Sequence, residues 1–163
     1  MGRDSLAEGA YAVAEGRQTI ARYAAHAEGR STEALGDASH AEGFATKATN
    51  TYAHSEGSQT TASGFGAHAE GGGTYAEGAR SHSEGYQTRA QGEASHASGI
   101  GTIAKEEAQT VVGKYNKDEA TAMFIVGSGS KTTTTTVKEN CFTTGKDGEE
   151  HYIQIGKTRF TET

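Results

Sequence analysis

Six of the seven histidines stand at positions 26, 40, 54, 68, 82 and 96, a spacing of fourteen residues without one slip. Two places after each of the first five stands a glutamate (Glu28, Glu42, Glu56, Glu70 and Glu84), and Ser98 ends the series after His96. Imidazoles beside carboxylates suit general acid–base work, metal ligation or charge-assisted contacts. Catalysis fits poorly: no nucleophile or acid–base pair stands apart from the repeat, so the chain reads as a non-enzyme. Ligation by His with Glu is chemically reasonable, but metal sites rarely recur at every step of a rod. The reading adopted is a polar contact in which each imidazole donates to a neighbouring carboxylate or imidazole, with neither metal nor cofactor expected.

The elements that must position these side chains follow from the same period. Thr recurs at 32, 46, 60, 74, 88 and 102. Glycine marks the half-periods, as Gly29, Gly36, Gly43, Gly57, Gly64, Gly71, Gly78, Gly85, Gly92, Gly99 and Gly113, and each is read as a turn residue closing a strand. Asn50 and Glu106 occupy the two slots of that register without Gly; Asn tolerates a left-handed backbone best after Gly, so Asn50 is read as a turn residue of the same kind. Upstream, Gly9 and Gly16 keep the seven-residue step, and one residue is missing before Gly29. The repeat covers roughly residues 5–113, assigned as a 1–113 repeat domain of about eight coils, with 114–163 as a C-terminal region.

Seven-residue spacing first suggests a coiled coil, but Gly at every seventh position would cost a helix about 1 kcal/mol each time, and no apolar seam exists. Collagen needs Gly at every third residue. Each half-repeat instead alternates with period two over four or five residues and closes on Gly, the signature of a short strand and a turn. In Ser39-His40-Ala41-Glu42-Gly43, Ser39 and Ala41 share one face while His40 and Glu42 share the other. The fold expected is an all-β, parallel β-roll solenoid of fourteen-residue coils, a rod on the order of 40 Å long.

The columns assign the faces. Thr32, Thr46, Thr60, Thr74, Thr88 and Thr102 align with Ala34, Ala48, Ala62, Ala76, Ala90 and Ala104, and the matching column of the other strand holds only Ala and Ser. Nothing there is larger than Thr, which reads as the inside of a narrow roll. The outward side of the Thr strand is mixed, as solvent permits, and its varied positions Tyr75, Arg89 and Ile103 are candidates for a recognition face. The column of His26, His40, His54, His68, His82 and His96, with its glutamates, does not drift, so it is expected to meet a repeating surface, most simply the same face of other copies. Ala, Ser and Thr bury little apolar area, so association is the expected source of the stability a single roll lacks. Imidazoles this close cannot all be protonated, and interface burial would lower their pKa values against the pull of the glutamates.

Composition agrees. The chain has 23 Gly in 163 residues, no Pro or Trp, and only 33% hydrophobic residues, too few large side chains for an ordinary globular core. Its formal charge of −6 gives no reason to expect nucleic acid, and the lone Cys141 leaves the redox compartment open. No run approaches the length of a membrane span and the first residues form no signal-peptide apolar stretch, so no membrane insertion is expected.

Segments such as Ser39-His40-Ala41-Glu42-Gly43 and Thr60-Thr61-Ala62-Ser63-Gly64 resemble the head repeats of YadA-like trimeric adhesins. The resemblance implies a homotrimeric, left-handed parallel β-roll with fourteen residues per coil. The usual adhesin repeat has aliphatic residues, lining the subunit contact, where this chain has His and Glu; the His-Glu variant looks more like solenoid segments of phage and prophage tail or fibre proteins. It implies a structural or adhesive segment of a virion tail fibre or other extracellular surface fibre. The expected partners are further copies of the chain, neighbouring fibre or tail proteins and a host-surface receptor or glycan. The head of a bacterial trimeric autotransporter adhesin is the alternative. Regular Thr arrays raise ice binding as a minor third reading, set aside because Thr shares its face with Ala48 and its equivalents.

After Gly113 the period weakens. Gln109–Asn116 and Phe124–Gly127 resemble the segment that closes such rolls. Ala122-Met123-Phe124-Ile125-Val126, the most apolar run, is expected to be a strand capping the open end. Thr132–Thr136 reads as an exposed loop or edge strand, and Asp147-Gly148 as a hairpin turn between flanking strands, followed by one more strand around Arg159-Phe160.

Overall fold

The computed structural model describes residues 2–132, 135–147 and 150–161. Among them there is no helix, and the strands wind a parallel β-roll of about nine turns. The long sheet runs through Val13–Arg17, His26–Arg30, His40–Phe44, His54–Ser58, His68–Gly72, His82–Tyr86, His96–Ile100, Thr110–Lys114 and Ala122–Ser128, all parallel. Three antiparallel strands, Asn140–Asp147, Glu150–Ile155 and Thr158–Thr161, extend it. Facing it is a short sheet of eight parallel strands, from Leu6–Glu8 and Ile20–Arg22 to Arg89–Ala90 and Ile103–Ala104.

Fourteen-residue spacing becomes strand register: His40 pairs with His54, Glu42 with Glu56 and Gly43 with Gly57. The missing residue near the start is absorbed at the corner, so Val13 pairs with His26 and Ile20 with Glu33 at a step of thirteen, and the strands on either side are undisturbed.

The interior is as narrow as its side chains imply. Every Thr of the Thr column and every Ala aligned with it is fully buried, as are Ala41, Ser55, Ala69, Ser83 and Ala97. The two layers approach so closely that within each of two coils the Ser and Thr hydroxyls touch: Ser55 Oγ lies 2.8 Å from Thr60 Oγ1, and Ser83 Oγ 2.8 Å from Thr88 Oγ1.

The glycines divide into two sets, of which only the second closes strands at turns as the sequence suggested. Gly29, Gly43, Gly57, Gly71, Gly85, Gly99 and Gly113 lie inside the strands of the long sheet, and from Gly29 to Gly99 each pairs with the next in the ladder. The strand runs one residue beyond each of them, and the corner follows, with positive φ at Ala45 after Gly43 and at Gln87 after Gly85. Gly is kept there for two reasons: at Gly43 the backbone has φ of 107°, and a Cβ would overlap the carbonyl oxygen of Gly57 in the next coil.

Gly36, Gly64, Gly78 and Gly92 do stand at bends, after the short strands, but none of them has positive φ. The close approach of the next coil favours Gly there, although Asn50 and Glu106 fit a Cβ into the same slot. A Cβ on Gly36 would overlap the carbonyl oxygen of Asn50, and those on Gly64, Gly78 and Gly92 would overlap the carbonyl oxygens of Gly78, Gly92 and Glu106 in turn. The left-handed residue of this corner falls two places on, at Ala38, Tyr52, Gly66, Arg80 and Ala94. Asn50 is therefore not left-handed either. It holds the corner with its side chain, Nδ2 donating to the Ser63 carbonyl at 3.0 Å and Oδ1 accepting from the Thr51 N–H at 2.8 Å.

The parallel register runs one coil past Gly113, with Thr110 opposite Phe124 and Gly113 opposite Gly127. Ala122–Ser128 is therefore the last parallel strand, and Asn140–Asp147 crosses its edge antiparallel. The interior widens as it ends: the column Ala97, Val111, Ile125 grows in volume, and Gln109 and Asn116 replace the small polar residues. Buried Gln109 donates to the carbonyls of Ala122 (2.7 Å) and Glu119 (3.0 Å), and Asn116 accepts from the Ile103 N–H and donates to its carbonyl. These amides satisfy backbone groups that the next coil would otherwise meet. Ser130–Lys131 and Thr136–Val137 form a small antiparallel pair, and residues 133–134 between them lie outside the described residues. Asp147 pairs with Glu150 as the hairpin reading requires, while Gly148 and the side chains around it lie outside the described residues.

Candidate functional site

Period-two alternation turns every His and its Glu to the outer face of the long sheet, and parallel register stacks them in two columns. The six imidazoles form one continuous ladder, with centroids 4.6–5.0 Å apart and planes within 10° of parallel. Side chains on this face are half-buried within one chain: His40 keeps 36% of its side-chain surface exposed and Glu42 keeps 42%.

Hydrogen bonding leaves the ladder incomplete. All six Nε2 atoms are shielded from solvent and make no hydrogen bond. Their nearest carboxylate oxygens lie 3.4–4.0 Å away, within ion-pairing range if the ring is protonated. In the early coils each imidazole faces its own coil's glutamate (His26–Glu28, His40–Glu42, His54–Glu56, His68–Glu70). From His82 onward the nearest carboxylate belongs to the preceding coil (His82–Glu70, His96–Glu84).

Titration follows from this crowding. Burial first, and then the neighbouring imidazoles, hold His40, His68 and His82 below the ordinary histidine value, with nearby glutamates pulling the other way. Burial, together with the adjacent Glu56 and Glu84, pushes the Glu70 carboxyl up. Glu84 is held down, chiefly by a hydrogen bond from Ser98.

The face does not stop at His96. In the same register it continues as Thr110 and then Phe124, beside Val112 and then Val126. Across the antiparallel strands it reaches Thr144 and Phe142, and then Ile153 and Ile155. Phe124 and Phe142 meet edge-on at 6.0 Å, while Ile153 (48%) and Ile155 (56%) stand exposed. A polar ladder thus runs into an apolar patch on one sheet face. Sequence reasoning missed this extension because it placed the end of the repeat at Gly113; adding fourteen to His96 and Ser98 twice gives Thr110, Val112, Phe124 and Val126, so the signal was present.

The recognition candidates lie on the opposite side of the roll. Tyr75, Arg89 and Ile103 are neighbours in the short sheet. The Arg89 guanidinium sits 4.7 Å over the Tyr75 ring, and Arg89 Nε lies 3.5 Å from Glu77. Tyr75 and Arg89, with Gln59, Gly73 and Gln87, line an open groove of about 330 Å³, and Ile103 lies outside it.

No protein-family model matches the chain, and no curated protein matches it. No helix among the described residues is long and apolar enough to cross a membrane.

Proposed function

We propose that the chain is a structural and adhesive segment of a homotrimeric surface fibre, most simply a phage or prophage tail fibre, whose copies pack through the His–Glu face and its apolar extension. The observation that carries this reading is the continuity of that face: shielded imidazole nitrogens without partners lead into half-buried Phe and Val and exposed Ile side chains on the same side of one sheet. A buried polar atom left unpaired costs about 1–3 kcal/mol, and a carboxylate from a neighbouring copy would relieve that cost at each coil. Three copies follow from the resemblance of the repeat to YadA-like heads. The regular rod suits a spacer, and the irregular surface around Tyr75 and Arg89 suits recognition of a host receptor or glycan.

Light scattering under native conditions tests this directly. A mass near three times 16.9 kDa is expected. A stable, folded monomer would refute the association and leave the His–Glu face open to solvent.

A further inference from the structure

We infer that His68, Glu70 and His82 form a binding site for a divalent transition-metal ion of the zinc or cobalt class. Glu70 is the position where pairing along the ladder changes over. Its Oε2 lies 3.9 Å from His68 Nε2 in its own coil, and its Oε1 lies 4.0 Å from His82 Nε2 in the next. One carboxylate therefore faces two imidazoles, whose rings are 4.7 Å apart and 3° from parallel, and one ligand atom from each residue falls within a 4.8 Å cluster.

The donor set suits the ion. Two imidazoles and a carboxylate are ligands of borderline ions such as Zn²⁺, and three protein ligands leave a fourth position open for water or a group from another copy. A tetrahedral ion with bonds of about 2.0–2.2 Å spaces its ligands roughly 3.4 Å apart. Closing the set asks for a tilt of the two rings and a turn of Glu70, whose side chain is 33% exposed. Both Nε2 atoms are shielded and unpartnered, so ligation through them would displace no hydrogen bond of either Nε2. Charge favours it too, because Glu56 and Glu84 flank Glu70 in the same column and a cation offsets their mutual repulsion. A second grouping, Glu15, His26 and Glu28, supplies a single imidazole between two exposed carboxylates and makes the weaker set.

The site lies on the face proposed for association but does not depend on it. The test is titration of the folded, EDTA-treated full chain with Co²⁺, read by visible absorption and equilibrium dialysis and followed by displacement with Zn²⁺. One Co²⁺ per chain is expected. His82→Gln should weaken uptake at least roughly tenfold, while His40→Gln should bind as the parent does. Glu70→Gln, close in volume, replaces His82→Gln if that variant fails to fold by circular dichroism. Absence of uptake by the parent, or equal weakening by His40→Gln, overturns the site. Mass is measured separately in EDTA: a trimer that takes up no Co²⁺ refutes the metal site alone, and a monomer that takes up one refutes the association alone.

Discussion

The hydroxyl pairs inside the roll allow a sharp test of what holds a core made of Ala, Ser and Thr. In the coils that carry Ser55 and Ser83, the serine bonds the facing threonine at 2.8 Å, and that threonine also donates to a backbone carbonyl, Glu56 for Thr60 and Glu84 for Thr88. In the coils that carry Ala27, Ala41 and Ala69 the facing Thr32, Thr46 and Thr74 are equally buried, yet their hydroxyls have no partner. Ser already occupies this column in neighbouring coils, so Ala41→Ser introduces an oxygen where the register accepts one. A net hydrogen bond contributes about 0.5–1.5 kcal/mol, and an unsatisfied buried hydroxyl costs about 1–3 kcal/mol. Ala41→Ser should therefore stabilise by about 1 kcal/mol, and Ser55→Ala should destabilise by about 1–2 kcal/mol. At this chain length, 1 kcal/mol moves Tm by roughly 2–4 °C. Ala41 and Ala69 lie two coils apart, about 10 Å, so Ala41→Ser combined with Ala69→Ser should be close to additive. Thermal unfolding followed by circular dichroism at fixed protein concentration reads every variant. A lower Tm for Ala41→Ser together with no loss for Ser55→Ala would refute the claim that these hydroxyls matter to the core.

Further outcomes follow from other parts of the roll. Ile155→Ala, which removes a half-exposed apolar side chain from the proposed contact, should weaken association by about 1 kcal/mol per copy, and Ile155→Glu should abolish it; sedimentation velocity giving one unchanged species for both would exclude the apolar patch from the interface. The acid response is set by groups such as His40, which is packed between His26 and His54 and faces Glu28, Glu42 and Glu56 on its own and adjoining strands. Its value is lowered on folding, so the folded chain binds fewer protons. Stability should be full above the unfolded histidine value near 6.5 and fall as pH drops through it; equal Tm in EDTA at pH 8 and pH 5 would contradict this. Arg89→Ala should leave stability within about 0.5 kcal/mol of the parent, as an exposed pair contributes little, while reducing adsorption to host cells if Tyr75 and Arg89 take part in recognition; undiminished adsorption would assign the segment a spacer role.

Much of this architecture was legible in the sequence because every coil repeats the same physical problem. A column holding nothing beyond Thr has a single comfortable place, the narrow interior, and period-two alternation then sends His40 and Glu42 outward. The ends are harder to read. Val111, Ile125, Gln109 and Asn116 break the small-residue rule because the last coils face a wider, closing interior, and their partners are backbone groups that no periodicity announces. The glycine columns misled for a related reason. A Gly demanded by the approach of the next coil, as at Gly71 within its strand, looks in the sequence like a Gly demanded by a turn; Gly78 and Asn50 do begin turns, but without a left-handed backbone. Which glutamate each imidazole faces was also invisible for every coil but that of His96, whose own coil offers Ser98, because side-chain rotamers decide between own-coil and cross-coil pairing.

The thirteen-residue step between Val13 and His26 has a consequence for how such a chain can change. Since the corner absorbs a lost residue while the strands on either side keep their pairing, length variation is tolerated at corners and resisted within strands. Whole coils are interchangeable units, each meeting its neighbours through the same backbone bonds and the same Gly-to-Gly approach. Duplicating or deleting fourteen residues would lengthen or shorten the rod by one strand spacing, about 4.8 Å, without rebuilding either end. The roll is in that sense a ruler whose length can be reset by recombination between its own repeats, leaving the side chains at its two ends untouched.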